Sequence, residues 1–130
     1  MEIKEIEFHD SRCSELVIAL DGLLVLRFDE LRVEVVREGE NEAWHYRAEL
    51  RIRGSRRVEL TKQLPMDGEI ISATFDTPHS HESYFRWLLG DGAAISSCTI
   101  VFSSGAELTI EAESASVKLM DDGTYVQTYD

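Results

Sequence analysis

The chain is 130 residues long, 43% hydrophobic, and carries a formal net charge of -12. That length fits one domain with room for a real core. Its apolar runs fall well short of a membrane span, and so acidic a surface argues against nucleic acid and favours a basic partner. The charge is uneven: residues 1–62 hold 11 Lys and Arg against 14 Asp and Glu, whereas residues 63–130 set only Arg86 and Lys118 against 11 acids.

Ile3 to Phe8 alternates and predicts a short first strand, ended by the turn-forming His9-Asp10-Ser11. Cys13–Leu20 and Leu23–Phe28 predict a hairpin about Asp21-Gly22, with Leu20 opposite Leu23, Ile18 opposite Val25 and Val17 opposite Leu26. Both of its faces are largely apolar, which predicts a central place covered on both sides. At Asp29-Glu30 the apolar parity changes from even (Leu24, Leu26, Phe28) to odd (Leu31, Val33, Val35), so a bulge or sharp corner is required there. Leu31–Glu38 and Ala43–Arg53 predict a second hairpin over a four-residue loop, Gly39–Glu42. In that register Glu34 faces Arg47, Arg32 faces Glu49, Val35 meets Tyr46 and Leu31 meets Leu50. From Trp44 onward Trp44, Tyr46, Ala48, Leu50 and Ile52 form a dry face, and His45, Arg47, Glu49, Arg51 and Arg53 a wet one.

A three-residue loop, Gly54–Arg56, sets Ile52 opposite Val58, Leu50 opposite Leu60 and Arg51 opposite Glu59. Glu69–Phe75 reads as a strand. The period then changes, and one helix is predicted over Pro78–Leu89, with Thr77 as N-cap, Pro78 at the first helical position and Gly90 past the end. Ser97–Phe102 and Ala106–Ala112 predict a hairpin pairing Ile100 with Leu108 and Cys98 with Ile110, with Gly105 at the left-handed third loop position. Ser116–Met120 and Tyr125–Tyr129 predict a last hairpin about Asp122-Gly123. The expected fold is a single domain over residues 1–130, mainly β, an antiparallel β-sandwich or barrel of hairpins with one short helix. Trp44, Tyr46, Leu50, Ile18, Val25, Ile100 and Leu108 are expected in its core.

Few residues suggest chemistry. His79-Ser80-His81-Glu82 is the densest group of metal-type ligands and resembles the core of the cupin metal motif. Cupins place a Glu four or five residues after the second His, where this chain has Phe85 and Arg86, and on a helix His79 and His81 point to opposite faces. A polar first helical turn is the simpler reading, and neither a metal nor a cofactor is expected. His9-Asp10 and His45 lack a nucleophile or second carboxylate, Ser103-Ser104-Gly105 lacks the flanks of a nucleophile elbow, and Cys13 has no Cys-x-x-Cys neighbour. No catalytic residue is assigned and the chain is expected not to be an enzyme. The arginines Arg47, Arg51, Arg53, Arg56 and Arg57 suggest an anion patch, but the register above places Glu34 and Glu59 opposite Arg47 and Arg51 and favours a ladder of ion pairs. Glu107, Glu111 and Glu113 share one wet face with no cation opposite; with Asp121 and Asp122 at the next hairpin tip they are the candidate surface for a basic protein partner.

Phe8-His9-Asp10-Ser11, near the N-terminus and followed by an apolar strand, resembles the "FHD" start of some small bacterial β-rich immunity proteins and related uncharacterised families. The resemblance covers four residues and the strand layout of the first third. It implies a cytoplasmic protein that acts by binding, neutralising a toxin. Met1–Glu5 has no basic segment followed by an apolar core, and two cysteines suit free buried thiols in a reducing compartment, both in keeping with that location. The expected function is therefore a non-catalytic protein-binding module. The alternatives are a small-ligand-binding β-barrel, with a metal at His79/His81, and a structural or homo-oligomer-forming domain.

Overall fold

Alternating apolar side chains draw most of the chain into antiparallel strands. The computed structural model describes residues 1–63, 68–77 and 83–129. The strands are β1 (Glu2–Ile18), β2 (Leu24–Arg37), β3 (Glu40–Arg53), β4 (Arg57–Leu60), β5 (Gly68–Asp76), β6 (Ala93–Ala94), β7 (Ser97–Phe102), β8 (Glu107–Glu111), β9 (Ser114–Leu119) and β10 (Thr124–Tyr129). They form one open sheet in the order β4-β8-β7-β5-β1-β2-β3-β9-β6, with β10 also on β3. Among the described residues two pairs, Arg12–Glu69 and Cys13–Gly68, join β1 to β5. At that narrow seam the sheet folds over, so that β5-β7-β8-β4 lies against β1-β2-β3-β9. Gly68 makes the seam possible: a Cβ there would lie 2.5 Å from the Cys13 carbonyl oxygen. Phe8, Leu24, Leu26, Leu31, Leu50 and Ile52 from one layer share a core with Ile70, Ile100, Phe102, Leu108 and Ile110 from the other.

The fold class matches the sequence reading, and so do the β7–β8 hairpin with its Ile100–Leu108 and Cys98–Ile110 pairs and the bulge between Phe28 and Leu31. Several pairings differ. The β2–β3 turn is the two-residue Glu38-Gly39, with φ of 53° and 79°, and not Gly39–Glu42. Both turn residues are left-handed, as the tight turn that suits strand twist requires. Glu34 consequently faces Ala43, and Leu31 faces Tyr46. At the tip of the β1–β2 hairpin Ile18 pairs with Leu24 and Val17 with Val25, one residue from the expected register. That tip is not covered: Ile18 is 63% exposed and Leu20 fully so. Of the other expected core residues, Trp44 and Val25 are half-buried and the rest are buried.

His9-Asp10-Ser11 does not end a strand. β1 runs through it with an irregularity in which Asp10 takes a φ of 66°. The predicted β3–β4 hairpin is absent, because the chain crosses between layers at Gly54–Arg56. β4 pairs with β8 (Val58–Ile110, Leu60–Leu108), and β3 pairs with β9 (Ile52–Ala115, Leu50–Val117). Nor do the last two strands form a hairpin. They lie end to end along the same edge of β3, β9 on residues 48–53 and β10 on residues 41–45, with residues 120–123 looping out between them.

In place of a helix over Pro78–Leu89 there is one turn of 3-10 helix, Ser83–Leu88; residues 78–82 of that expected helix lie outside the described residues. The Thr77 hydroxyl donates to the Ala94 carbonyl at 2.9 Å, and the first turn it was expected to cap lies outside the described residues. The turn closes one end of the fold with aromatic rings. Phe85 stands edge-on to Phe8 at 5.2 Å between centroids, and Trp87 edge-on to Phe75 at 5.6 Å. No helix among the described residues is long and apolar enough to cross a membrane.

Candidate functional site

The outward face of β5-β7-β8-β4 is built from three rows of directly opposed residues, which therefore project to the same side. One row is Asp76, Ser97, Glu111 and Arg57; the next is Thr74, Thr99, Thr109 and Glu59; the third is Ser72, Val101 and Glu107. Threonines, which favour strands, occupy the middle row. It presents four carboxylates, Glu59, Asp76, Glu107 and Glu111, around a polar centre. The expectation that no cation stands opposite the β8 carboxylates is corrected, because β4 brings Arg57 directly across from Glu111. Arg57 is nevertheless held by Glu59, its Nε donating to that carboxylate at 2.9 Å.

The five candidate acids are all exposed but do not form one surface. Glu107 and Glu111 belong to the face just described. Glu113 lies beyond the end of β8, over Gly54, where a Cβ would come within 2.6 Å of its carboxyl group. Asp121 and Asp122 are on the other layer, and Asp121 has a structural task. Its Oδ1 accepts from the Arg47 and Gly123 amides at 3.2 and 3.1 Å and so shapes the loop between β9 and β10.

The remaining candidates resolve as follows. His79, His81 and Glu82 lie outside the described residues. The four residues behind the immunity-type resemblance support the strand irregularity: Phe8 is buried, and the buried Ser11 hydroxyl donates to the Glu7 carbonyl at 2.7 Å and accepts from the Arg32 amide at 2.9 Å. His9 and His45 stand 3.9 and 3.8 Å from Glu7 and Glu30 respectively. Both cysteines are free and buried; burial pushes the Cys13 thiol up to about 11 and the Cys98 thiol to about 12, so neither is a ready nucleophile.

Sequence reasoning missed a carboxylate group on the outward face of β1–β2. Glu5 sits directly opposite Glu34, and with Glu7 the three contribute oxygens within 4.8 Å of one another. Burial, then hydrogen bonding to Glu7 and Glu34, pushes Glu5 up to about 8, so the group retains a proton at neutral pH. Arg32 holds Glu7 at 2.8 Å and also donates to the Tyr129 hydroxyl, while Lys4 lies 3.8 Å from Glu34. Three such oxygens could ligate a hard divalent cation. The available signal was two like charges brought opposite by a long β1, and it was lost once β1 was ended at His9.

No family model, curated protein or solved structure matches the chain.

Proposed function

We propose that the chain is a non-catalytic binding module that meets a basic protein through the outward face of β5-β7-β8-β4. One observation carries this reading: Glu59, Asp76, Glu107 and Glu111 project to one polar sheet face, and Arg57, the cation among the opposed residues described there, is already committed to Glu59. Like charges gathered on one sheet face oppose folding, and solubility would be served equally well by scattering them. A polar sheet face suits a protein partner better than a small molecule, which needs a concave site. Beside this face the outer edge of β4 has no strand partner among the described residues, and Val58 and Leu60 are partly exposed there. That edge adds apolar area to a charged rim.

The test compares the wild type with a variant carrying Glu59→Gln, Asp76→Asn, Glu107→Gln and Glu111→Gln, both tethered and exposed to lysate of the source cell. The wild type is expected to retain a protein of high isoelectric point and to release it as rising salt brings the Debye length below about 8–10 Å. The variant, folded by circular dichroism, should fail to retain it. Equal retention by both proteins, or an acidic partner, overturns the reading. The toxin-neutralising form implied by the FHD resemblance adds one requirement: the captured protein must lose its own activity when bound.

A further inference from the structure

The arginine-rich strand β3 finds different neighbours from those its sequence suggested. Arg51 and Arg53 project outward, but the residues across from them on β9 are Ser116 and Ser114, not acids. Lys118, two residues along β9 from Ser116, faces Glu49. Glu49 is itself nearly buried and neutralised by two arginines, Arg51 at 2.8 Å and Arg27 at 3.4 Å. Arg53 and Lys118 form no ion pair among the described residues, and the Ser116 hydroxyl has no hydrogen-bond partner there.

Short serines between long cations leave a trough, and the loop after the 3-10 turn forms its wall. Leu89 bridges to Val117, and Gly92, with a φ of 73°, presses its backbone so closely onto β9 that a Cβ would lie 2.0 Å from the Ala115 carbonyl oxygen. Gly90 leaves open space on its own side. The resulting groove has a volume of ≈ 550 Å³ and is lined by Arg51, Arg53, Ser116, Lys118, Gly90 and Asp91 among others. In a chain of net charge -12, three cations converge here with one carboxylate beside them.

We propose that this groove binds a sugar phosphate, its phosphate held by Arg53, Lys118 and the Ser116 hydroxyl and its hydroxyls by the Asp91 carboxylate. The volume exceeds what a lone phosphate needs and falls within the range of small-molecule sites, about 300–1,000 Å³. A phosphate suits the fixed fork of an arginine and the point charge of a lysine. Asp91, acceptor-only when ionised, matches the donor hydroxyls of a polyol and would repel a second phosphate. Among the described residues no aromatic side chain lines the groove, which favours a sugar over a nucleobase as the phosphate's carrier. The site lies on the layer opposite the acidic face and is independent of the protein-binding reading.

The experiment follows the backbone amide signals of the intact protein by NMR during titration with a hexose 6-phosphate, the free hexose and inorganic phosphate. The hexose phosphate should give saturable shifts confined to Gly90, Asp91, Ser116, Lys118 and their neighbours. Inorganic phosphate should shift the same signals with affinity lower by roughly tenfold or more, and the free hexose should leave them unmoved. Arg53→Gln and Lys118→Gln, each with an otherwise unchanged spectrum, should weaken both phosphate ligands by about tenfold or more. Asp91→Asn should weaken only the hexose phosphate. Unsaturable shifts spread over all the surface cations, or affinities unchanged in the Arg53 and Lys118 variants, overturn the site. Equal affinity for phosphate and hexose phosphate, indifferent to Asp91→Asn, overturns the assignment of the sugar.

Discussion

On β8, Glu107 and Glu111 stand among threonines and serines with Arg57 as the one cation opposite, whereas on β3 Glu49 lies nearly dry between Arg27 and Arg51. The two layers share a core but treat charge in opposite ways. The strands of the β8 layer are short, and the β7–β8–β4 ladder is free of register shifts, so their carboxylates stand out into water. The β1-β2-β3 layer has long strands with extra residues at Asp10, at Asp29-Glu30 and at residues 120–123, and it interlocks its charges: Arg32 with Glu7, Arg37 with Glu42, Arg27 with Glu15 and Glu49. Glu42 shows the same treatment, held by the Arg37 Nε and Nη2 at 2.8 and 3.0 Å and by the Trp44 indole N–H at 3.1 Å. Charge on β1-β2-β3 is thus largely tied into ion pairs, whereas on β8 the carboxylates stand exposed.

The contrast should disappear inside the sandwich. Leu50 and Leu108 are both 0% exposed, one from each layer, and Leu50→Ala and Leu108→Ala should each cost roughly 2–5 kcal/mol in denaturant titration. A loss below about 1 kcal/mol at either would show that the layers do not share the core equally. The contrast sharpens with pH. Glu5 titrates near 4.5 in the unfolded chain and at about 8 when folded, so between those values the native state holds a proton that the unfolded state has shed. Stability should therefore fall as pH rises through that window, and Glu5→Gln should flatten the slope; an unchanged slope in the variant would move the titration to another group. Glu49 and Glu42, held below the usual carboxylate range chiefly by hydrogen bonds from Arg51 and Arg37 respectively, act with the opposite sign, their contribution being lost as pH falls through their folded values. The smallest effect belongs to the outward acidic face. Arg57→Gln should change the thermal midpoint by no more than about 0–1 kcal/mol implies, while strengthening retention of a basic partner. Weakened retention would make Arg57 itself part of the contact.

Which pairings were legible follows from how each error moves side chains. The β7–β8 hairpin was legible because its partners are consecutive and Gly105 marks the turn; the Asp29-Glu30 bulge was legible because parity changes across it. The β2–β3 register is off by four, an even number, so Val33 and Val35 stay on the dry face in either register and the pattern could not detect the slip. Its turn uses Glu38 at positive φ, which is uncommon for a non-glycine residue. The β1–β2 tip is off by one, which ordinarily exchanges faces, but with Leu16, Val17 and Ile18 apolar in succession neither face was marked. The candidate face was half legible. The alternation exposing Glu107 and Glu111 is local, but Glu59 and Asp76 join them through pairings between distant segments, which no local periodicity records. The Arg51–Lys118 groove was hidden for the same reason.

The placement of β9 and β10 along one edge of β3 sets an order of events. Thr124 pairs with His45 and Tyr129 with Asn41, so one whole side of β3 is closed only by the last segments of the chain. During synthesis the edge of β3, with Trp44 beside it, must wait until residues 114–129 have emerged. Contacts so far apart in sequence slow the search for the native state, and an uncovered strand edge is a template for pairing with another nascent chain. Until residues 114–129 pair with it, the β3 edge is therefore a point of exposure to misassembly during synthesis.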